Sequence, residues 1–321
     1  MHTYKELVEI FTVHFAVSHF PKHPATLYEP GEYFLQTGGK RIRPVICLMG
    51  NELFDNINPD TYSVATAIEL FHNFTLIHDD IMDAAPLRRG IETVHSKFGA
   101  STALLSGDVM MIKAYEYINK IKPVYINRIL SLFNKTAREV CEGQQLDMDF
   151  EKQDSVVMSD YIHMITLKTS VLLAASLELG AILGGASEFN CRHLYEFGKH
   201  LGIAFQIQDD YLDAFGDPEK FGKDKGGDIR QNKKTFLLLY ALEVASVSQK
   251  EKLKELLASN EENKVEKVLQ IFKDCKVADW VKQLKHKHLE TALQHLEDIA
   301  VISLRKKPLH ELAELLIQRE F

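Results

Sequence analysis

Two short Asp-rich segments carry the clearest chemical signal in this sequence. Residues 76–83 read Leu-Ile-His-Asp-Asp-Ile-Met-Asp and residues 206–213 read Gln-Ile-Gln-Asp-Asp-Tyr-Leu-Asp, so the pattern Asp-Asp-x-x-Asp occurs twice. On a helix, residues four apart share a face, so Asp79 and Asp83 project together while Asp80 is rotated away. Each segment directly follows an apolar stretch, where unpaired carboxylates are costly. Both segments therefore need cations.

Carboxylates at this spacing favour Mg²⁺. Two carboxylates at this spacing cannot enclose an ion. They suit Mg²⁺ because this ion keeps several water ligands, and substrate phosphates usually complete its coordination. Two segments predict several ions and a polyphosphate ligand. A single Asp-rich stretch is as often a helix cap or a solvated turn. The repetition of the spacing and the cations nearby argue against that interpretation.

Basic residues are grouped in an otherwise acidic chain. Glycines beside a lysine let backbone N–H groups approach an anion, and arginines bind phosphate oxygens bidentately. The groups predict a second phosphate site that uses no metal. They are Gly38-Gly39-Lys40-Arg41-Ile42-Arg43-Pro44, Arg88-Arg89-Gly90, Lys168-Thr169, and the lysines at 220, 223, 225, 233 and 234.

The elements that must position these side chains are helices. Only 9 Pro and 17 Gly occur in 321 residues, and apolar residues recur at intervals of three and four. No stretch alternates β-branched and polar residues between turn signals. We therefore predict an all-α fold, a single domain over residues 1–321, with ten or more helices around a central cavity. The two Asp-rich segments would lie on facing helices with a shared task.

Composition excludes several partners and compartments. A net charge of −7 disfavours nucleic acid. Four cysteines without zinc or redox spacing favour a reducing compartment, here the cytoplasm. Glu6 and Glu9 interrupt any secretory signal. The most apolar segment, residues 171–186, is shorter than the ~20 residues of a membrane span, so we predict a buried core helix and no membrane span.

In order along the chain, these motifs resemble the trans-isoprenyl diphosphate synthases (the polyprenyl synthetase family). The resemblance covers roughly residues 38–236. It rests on Gly-Gly-Lys-Arg-Ile-Arg-Pro (38–44), His72, Asp79-Asp80-Ile-Met-Asp83, Arg88-Arg89-Gly90, Lys168-Thr169 and Gln206-x-x-Asp209-Asp210-Tyr-Leu-Asp213. It implies an isoprenoid-synthase fold and head-to-tail condensation: an allylic diphosphate ionises, isopentenyl diphosphate attacks through its double bond, and a proton is lost. The released diphosphate would take the proton, so no catalytic base is assigned.

The resemblance also implies a role for individual residues. Roughly three Mg²⁺ ions per active site would be held by Asp79, Asp83 and Asp209. Isopentenyl diphosphate would be held by Lys40, Arg43, His72 and Arg89. The allylic diphosphate would be held by Arg88, Lys168, Thr169, Gln206, Lys223 and Lys233, of which Arg88, Lys168 and Lys223 join the three aspartates in catalysis by neutralising the leaving group. Gln144, Asp147 and Asp228 also match family positions.

Product length is predicted from the residues before Asp79. The family pattern has an aromatic side chain five residues before the first Asp (Phe74), a small one four before (Thr75) and no insertion, with Phe71 one turn deeper. This pattern is similar to that of short-chain synthases, and more to geranylgeranyl (C20) than to farnesyl (C15) synthases. The alternative is that both phenylalanines are ordinary core packing.

Other classes of protein fit the sequence less well. A class I terpene cyclase shares the Asp-rich helix but usually carries an Asn/Ser/Glu motif at the second metal site. A ferritin-like di-iron bundle needs paired Glu-x-x-His motifs, and only Glu69-x-x-His72 was found. A non-catalytic partner subunit is disfavoured because both Asp-rich segments are intact. Family resemblance and the frequency of two-fold symmetry predict a homodimer.

Overall fold

The computed structural model describes residues 1–153, 155–216, 226–259 and 261–317. Apart from one short hairpin, the regular elements of these residues are helices, and they number more than ten. The prediction of an all-α fold is therefore confirmed. The chain divides into two compact units, residues 1–133 with 176–191, and residues 134–175 with 192–321. The single domain stays a prediction.

The first unit contains the elements that carry the N-terminal motifs. Helix α4 packs along α6, and α3 packs against both α1 and α4. The elements are α1 (Tyr4–Phe15), α2 (Ala25–Gln36), α3 (Ile42–Glu52), α4 (Pro59–Met82), β1 (Leu87–Arg88), β2 (Ile91–Glu92), α5 (Val94–Phe98) and α6 (Ala100–Ile118). The basic motif at 38–44 thus precedes α3 and continues into it, and the first Asp-rich segment ends α4.

The second unit contains the elements that carry the C-terminal motifs. Helix α7 (Pro123–Lys152) begins in the first unit and ends in the second. Helix α9 (Val171–Leu183) begins in the second unit and ends in the first. The remaining elements are α8 (Met158–Ile165), a π-helical turn (Thr166–Ser170), α10 (Glu188–Phe215), α11 (Gly227–Arg230), α12 (Phe236–Val244), α13 (Val247–Ala258), α14 (Lys264–Asp274), α15 (Val277–Asp298) and α16 (Ser303–Ile317). The second Asp-rich segment lies near the end of α10.

Local signals explain where several helices begin. Thr3 and Glu6 form a capping box at α1, and Ser246 forms one with Gln249 at α13. The Asn58 side chain accepts a hydrogen bond from the backbone N–H of Asp60, and proline follows at the first helical position of α4. These contacts satisfy N–H groups that a helix start leaves without partners.

The hairpin β1–β2 was not expected from the sequence. It pairs Leu87 with Glu92 and Arg88 with Ile91 around a turn at Arg89 and Gly90, whose φ values are 55° and 76°. Two successive positive φ values are typical of a type I′ turn, which joins strands closely. Strands of two residues are too short to show alternation, so only the glycine indicated a turn here.

One helical stretch has the length and composition of a membrane span. Among the described residues, this stretch is Met158–Leu183. In its apolar 18-residue window, 72% is buried inside the protein. Residues 171–183 are buried except for the partly buried Glu178. This is the environment predicted for the apolar segment at 171–186, a core helix.

Candidate functional site

The first Asp-rich segment closes helix α4. Asp79 is half-buried and Asp83 is exposed, while Asp80 is only 1% exposed. The backbone N–H of Asp83 donates to the carbonyl of Asp79 at 2.8 Å, so Asp83 lies where the helix ends. This arrangement agrees with the predicted rotation of Asp80 away from the other two carboxylates. Two oxygen-donor groups therefore meet solvent at the end of the helix.

Asp80 is a residue of the site that the sequence reasoning left out. Its Oδ1 atom accepts a hydrogen bond from Arg88 Nε at 2.7 Å. Burial raises the pKa of the Asp80 carboxyl, and the charge of Arg88 opposes this shift. The hairpin β1–β2 brings Arg88 back to the end of α4. Arg88, predicted to bind the allylic diphosphate, is thus anchored on a buried carboxylate.

Three of the four residues predicted to bind isopentenyl diphosphate make contacts that gather them around the start of α3. Arg43 Nη1 lies 3.1 Å from His72 Nε2. Arg89 donates to the carbonyl of Gly38, two residues before Lys40. Lys40 itself is exposed, and its carbonyl accepts a hydrogen bond from the Tyr4 hydroxyl at 2.6 Å.

His72 is held as a neutral imidazole. Burial lowers the pKa of His72 well below its usual value, and the charges of nearby arginines, Arg43 first among them, lower it further. The neutral ring accepts a hydrogen bond from Arg43. Four arginines act on this imidazole: Arg41, Arg43, Arg88 and Arg89. Two of them, Arg41 and Arg88, are paired with carboxylates.

Arg41 and Glu69 support this basic group. The Arg41 guanidinium pairs with the Glu69 carboxylate, and both side chains are at most 10% exposed. The carboxylate also accepts from Asn73 Nδ2 at 3.0 Å. Glu69 was considered in the sequence only as half of a di-iron motif. Because its carboxylate is paired with Arg41, the structure does not support Glu69 as a ligand of a di-iron site.

In the second unit, a cavity of about 110 Å³ gathers many of the predicted residues. Its lining comes from α7, α8, the π-helical turn, α10, α11 and the residues before α12. Among the predicted residues it includes Asp147, Lys168, Thr169, Gln206, Asp228 and Lys233. Lysines predicted to bind phosphate and carboxylates therefore face one space within this unit.

The π-helical turn positions Lys168 and Thr169. Lys168 Nζ forms a salt bridge with Asp147, and Thr169 Oγ1 donates to Gln206 Oε1 at 3.2 Å. Helix α7 approaches this turn closely at Gly143, where a Cβ atom would lie 2.3 Å from the Lys168 backbone nitrogen. Glycine is therefore required at this contact. π-Helical turns often occur at functional sites.

The second Asp-rich segment contains a buried carboxyl as well. Asp210 accepts hydrogen bonds from the Tyr161 hydroxyl at 2.5 Å and from Gln206 Nε2 at 2.8 Å. Burial, together with the nearby Asp228 charge, raises the pKa of Asp210 to about 8. Asp209 is half-buried. The sequence reasoning missed Tyr161 and Asp210, whose contact spans 49 residues of the chain.

Lysines and backbone groups complete the second unit's site. Lys233 Nζ lies 3.7 Å from Asp228 Oδ1, and the backbone N–H of Asp228 donates to Asp213 Oδ2 at 3.1 Å. Lys234 Nζ donates to the carbonyl of Phe150 at 2.7 Å, near the C-terminal end of α7. Lys223, predicted as a catalytic residue, lies outside the described residues.

The residues predicted to set product length lie on α4. Phe71 is 1% exposed and Phe74 8% exposed. Their ring centroids are 5.6 Å apart, and the Phe71 ring also contacts Phe133 at 5.3 Å. Thr75 Oγ1 donates to the carbonyl of His72 at 2.8 Å. The two rings thus form a continuous apolar cluster on α4, one to two turns before Asp79 in the helix. Their role in product length stays a prediction.

Comparison with known proteins finds similarity to the same family over nearly the whole chain. Residues 24–275 match the family model for polyprenyl synthetase. The geranylgeranyl diphosphate synthase of Methanosarcina mazei is 37% identical over 302 residues, which cover 93% of this chain and 91% of that protein. The geranylgeranyl pyrophosphate synthase of Geoglobus acetivorans is 39% identical, with 93% and 92% covered. A crystal structure of a geranylgeranyl pyrophosphate synthase has 42% identity and a TM-score of 0.95, with 99% of each chain covered.

The chain therefore belongs to the polyprenyl synthetase family and is a prenyltransferase. The resemblance stated from the motifs at 38–236 is confirmed, and the match extends beyond it on both sides.

Proposed function

We propose that this prenyltransferase condenses isopentenyl diphosphate with an allylic diphosphate to give all-trans geranylgeranyl diphosphate (C20). The observation that carries the proposal is the layout of α4. His72, with its arginines, and Asp79 lie seven residues apart, which is two turns along one face of the helix. A metal-binding carboxylate and a metal-free anion site on one helix suit two diphosphates. A terpene cyclase needs only one, so this layout favours condensation.

The donor set fits Mg²⁺, which the family is known to use. Asp79, Asp83 and Asp209 offer only hard oxygen ligands, and none of these side chains is fully buried, which leaves room for water and phosphate oxygens. We propose that these three aspartates hold the ions. Bound Mg²⁺ supplies positive charge that neutralises the diphosphate leaving group.

Lysine and arginine side chains would also help to neutralise the diphosphate leaving group. Lys168, Lys233 and Arg88 carry fixed positive charge toward the allylic diphosphate as its C–O bond breaks, so less solvent reorganisation is needed. Thr169 and Gln206 would orient its oxygens. Lys40, Arg43, His72 and Arg89 would hold isopentenyl diphosphate beside the cation, which converts an encounter of two molecules into a positioned reaction. We also propose that residues 1–321 form a single domain.

Product length is proposed to depend on the aromatic cluster. Because Phe71 and Phe74 form contiguous apolar bulk below Asp79, a growing chain that follows α4 would stop against these rings. Loss of the Phe74 ring removes this barrier. The farnesyl (C15) product is the alternative and would assign the stop to a shallower contact.

We also propose a homodimer in the cytoplasm. Helix α6 exposes three large apolar side chains at helical spacing, Leu104, Leu105 and Ile112, which are 49%, 55% and 55% exposed. An exposed apolar face of this kind is typical of an interface. Four free cysteines support a reducing compartment. Light scattering that finds only monomer at micromolar protein would contradict the dimer.

The decisive experiment is product analysis. Purified protein is incubated with Mg²⁺, labelled isopentenyl diphosphate and, separately, C5, C10 and C15 allylic diphosphates. We expect C20 product, products longer than C20 from Phe74→Ala, and the wild-type product from the control Phe189→Ala, whose ring is 55% exposed. Asp209→Asn should reduce turnover on the order of 10²-fold or more with unchanged circular dichroism. Absence of metal-dependent condensation would refute the proposed function.

A further inference from the structure

Four histidines meet between two helices of the second unit, away from the residues proposed for catalysis. His193 and His200 lie two turns apart on α10, and His288 and His295 lie two turns apart on α15. His193 contacts His295, and His200 contacts His288, so the helices run antiparallel at this point. The rings of His200 and His295 stack between these pairs, with centroids 6.0 Å apart.

The donor atoms of this cluster have the spacing of metal ligands. His295 Nδ1 lies 3.1 Å from His193 Nδ1, and Asp298 Oδ2 lies 3.8 Å from that same nitrogen. All three atoms are within 4.8 Å of one another. Two imidazole nitrogens bound to one tetrahedral zinc ion are about 3.3 Å apart, because each Zn–N bond is about 2.0–2.1 Å long. The observed pair matches that separation.

A neighbouring group of donors is less suited to a metal. Glu196, His200 and His295 also bring three donor atoms together, but the Glu196 carboxylate is paired with Lys199. Asp298 is 42% exposed, which gives an ion a path from solvent.

We propose that α10 and α15 bind one divalent transition-metal ion of the Zn²⁺ class through His193, His295 and Asp298. Imidazole ligands suit Zn²⁺, Co²⁺ and Ni²⁺, whereas the carboxylates of the Asp-rich segments suit Mg²⁺. The ion links two helices that are far apart in sequence. Because it binds the folded chain, it stabilises that chain by mass action.

The test uses Co²⁺ as the probe, in the full-length protein with saturating Mg²⁺ present. Calorimetry measures the affinity, and visible absorption reports nitrogen ligands around cobalt. We expect one tight equivalent in the wild type, and at least about tenfold weaker binding in His295→Gln. The matched control is His286→Gln on the same helix, because His286 forms an exposed pair with Glu290 and lies outside the cluster. This control should bind like the wild type.

Two further measurements separate the possible outcomes. His193→Gln should also lose the tight equivalent, and circular dichroism checks that both variants fold. Co²⁺ should raise the melting temperature of the wild type and of His286→Gln but not of His295→Gln. Equal binding by the wild type and His295→Gln would overturn the proposal. Loss of the tight equivalent in Asp79→Asn, with both histidine variants unaffected, would overturn it as well by assigning the ion to the Asp-rich segment.

Discussion

The contact between Gly143 and the π-helical turn offers a sharp test of how Lys168 is positioned. In Gly143→Ala, the new Cβ atom would lie 2.3 Å from the Lys168 nitrogen and 2.7 Å from the Leu167 carbonyl carbon. Non-bonded atoms of this kind pack at about 3.5 Å, so the backbones must separate by about 1 Å. Both neighbours are backbone atoms, which cannot rotate away. The turn that carries Lys168 and Thr169 must therefore move.

The size of the effect follows from this displacement. Overpacking costs about 1–3 kcal/mol, and alanine in a helix returns about 0.5–1 kcal/mol relative to glycine. We expect a net loss of about 1 kcal/mol in the free energy of unfolding. A catalytic group displaced by about 1 Å can cost 10²-fold in rate, so kcat/KM should fall by about that factor.

The assay pairs urea unfolding with steady-state condensation kinetics. The control is Gly31→Ala, also in a helix, because the nearest atoms to its Cβ are side-chain atoms of Phe20 and Ser106 at 3.2 Å. These can shift by a few tenths of an ångström, so stability and kcat/KM should stay near wild type. A stable, fully active Gly143→Ala would refute the steric reasoning. An active but destabilised one would refute the link to Lys168.

Two further predictions concern buried titratable groups. Arg88→Gln should lower the free energy of unfolding by about 1.5–3 kcal/mol in urea titrations, because it leaves the Asp80 carboxylate buried without its cation. Adding Asp80→Asn should recover part of this loss. For His288, burial depresses the folded pKa from 6.5 to about 4, so its stabilising contribution is complete above pH 6.5 and is lost as the pH falls toward 4. His288→Gln should reduce this decline in stability, measured in metal-free buffer.

Each prediction has a result that contradicts it. If the losses from Arg88→Gln and Asp80→Asn simply add in the double variant, the two side chains are not coupled in the folded state. If His288→Gln loses stability between pH 6.5 and 4 as steeply as the wild type, another group is responsible for the decline.

The helical period made part of the site predictable from the sequence. Four-residue spacing alone indicated that Asp79 and Asp83 share a face and that Asp80 does not, and the burial of Asp80 agrees with this. The Gly-Gly-Lys-Arg motif predicts an anion site, which stays a prediction, and Arg43 beside this motif contacts His72. Such inferences depend only on neighbours within a helix or on the chemistry of adjacent residues.

Contacts between distant segments were not predictable in the same way. The Tyr161–Asp210 hydrogen bond depends on how α8 packs on α10, and no local pattern at Tyr161 distinguishes it from a core aromatic. The π-helical turn (Thr166–Ser170) interrupts an apolar stretch whose sequence pattern predicts one continuous α-helix. The hairpin that returns Arg88 to Asp80 consists of two-residue strands, too short for a period to appear.

In both Asp-rich segments the first and second aspartates have different environments, which the repeated Asp-Asp-x-x-Asp pattern did not indicate. In each, the second aspartate is buried and bonded: Asp80 to Arg88, and Asp210 to Tyr161 and Gln206. The first aspartate of each, Asp79 and Asp209, is only half-buried. Because the buried carboxyl is fixed by directional hydrogen bonds, it fixes the rotation of its helix end and thereby the direction of the carboxylate beside it. The adjacent pair of aspartates thus combines an anchor with the more accessible carboxylate that we propose as a metal ligand, which accounts for two acidic residues in succession.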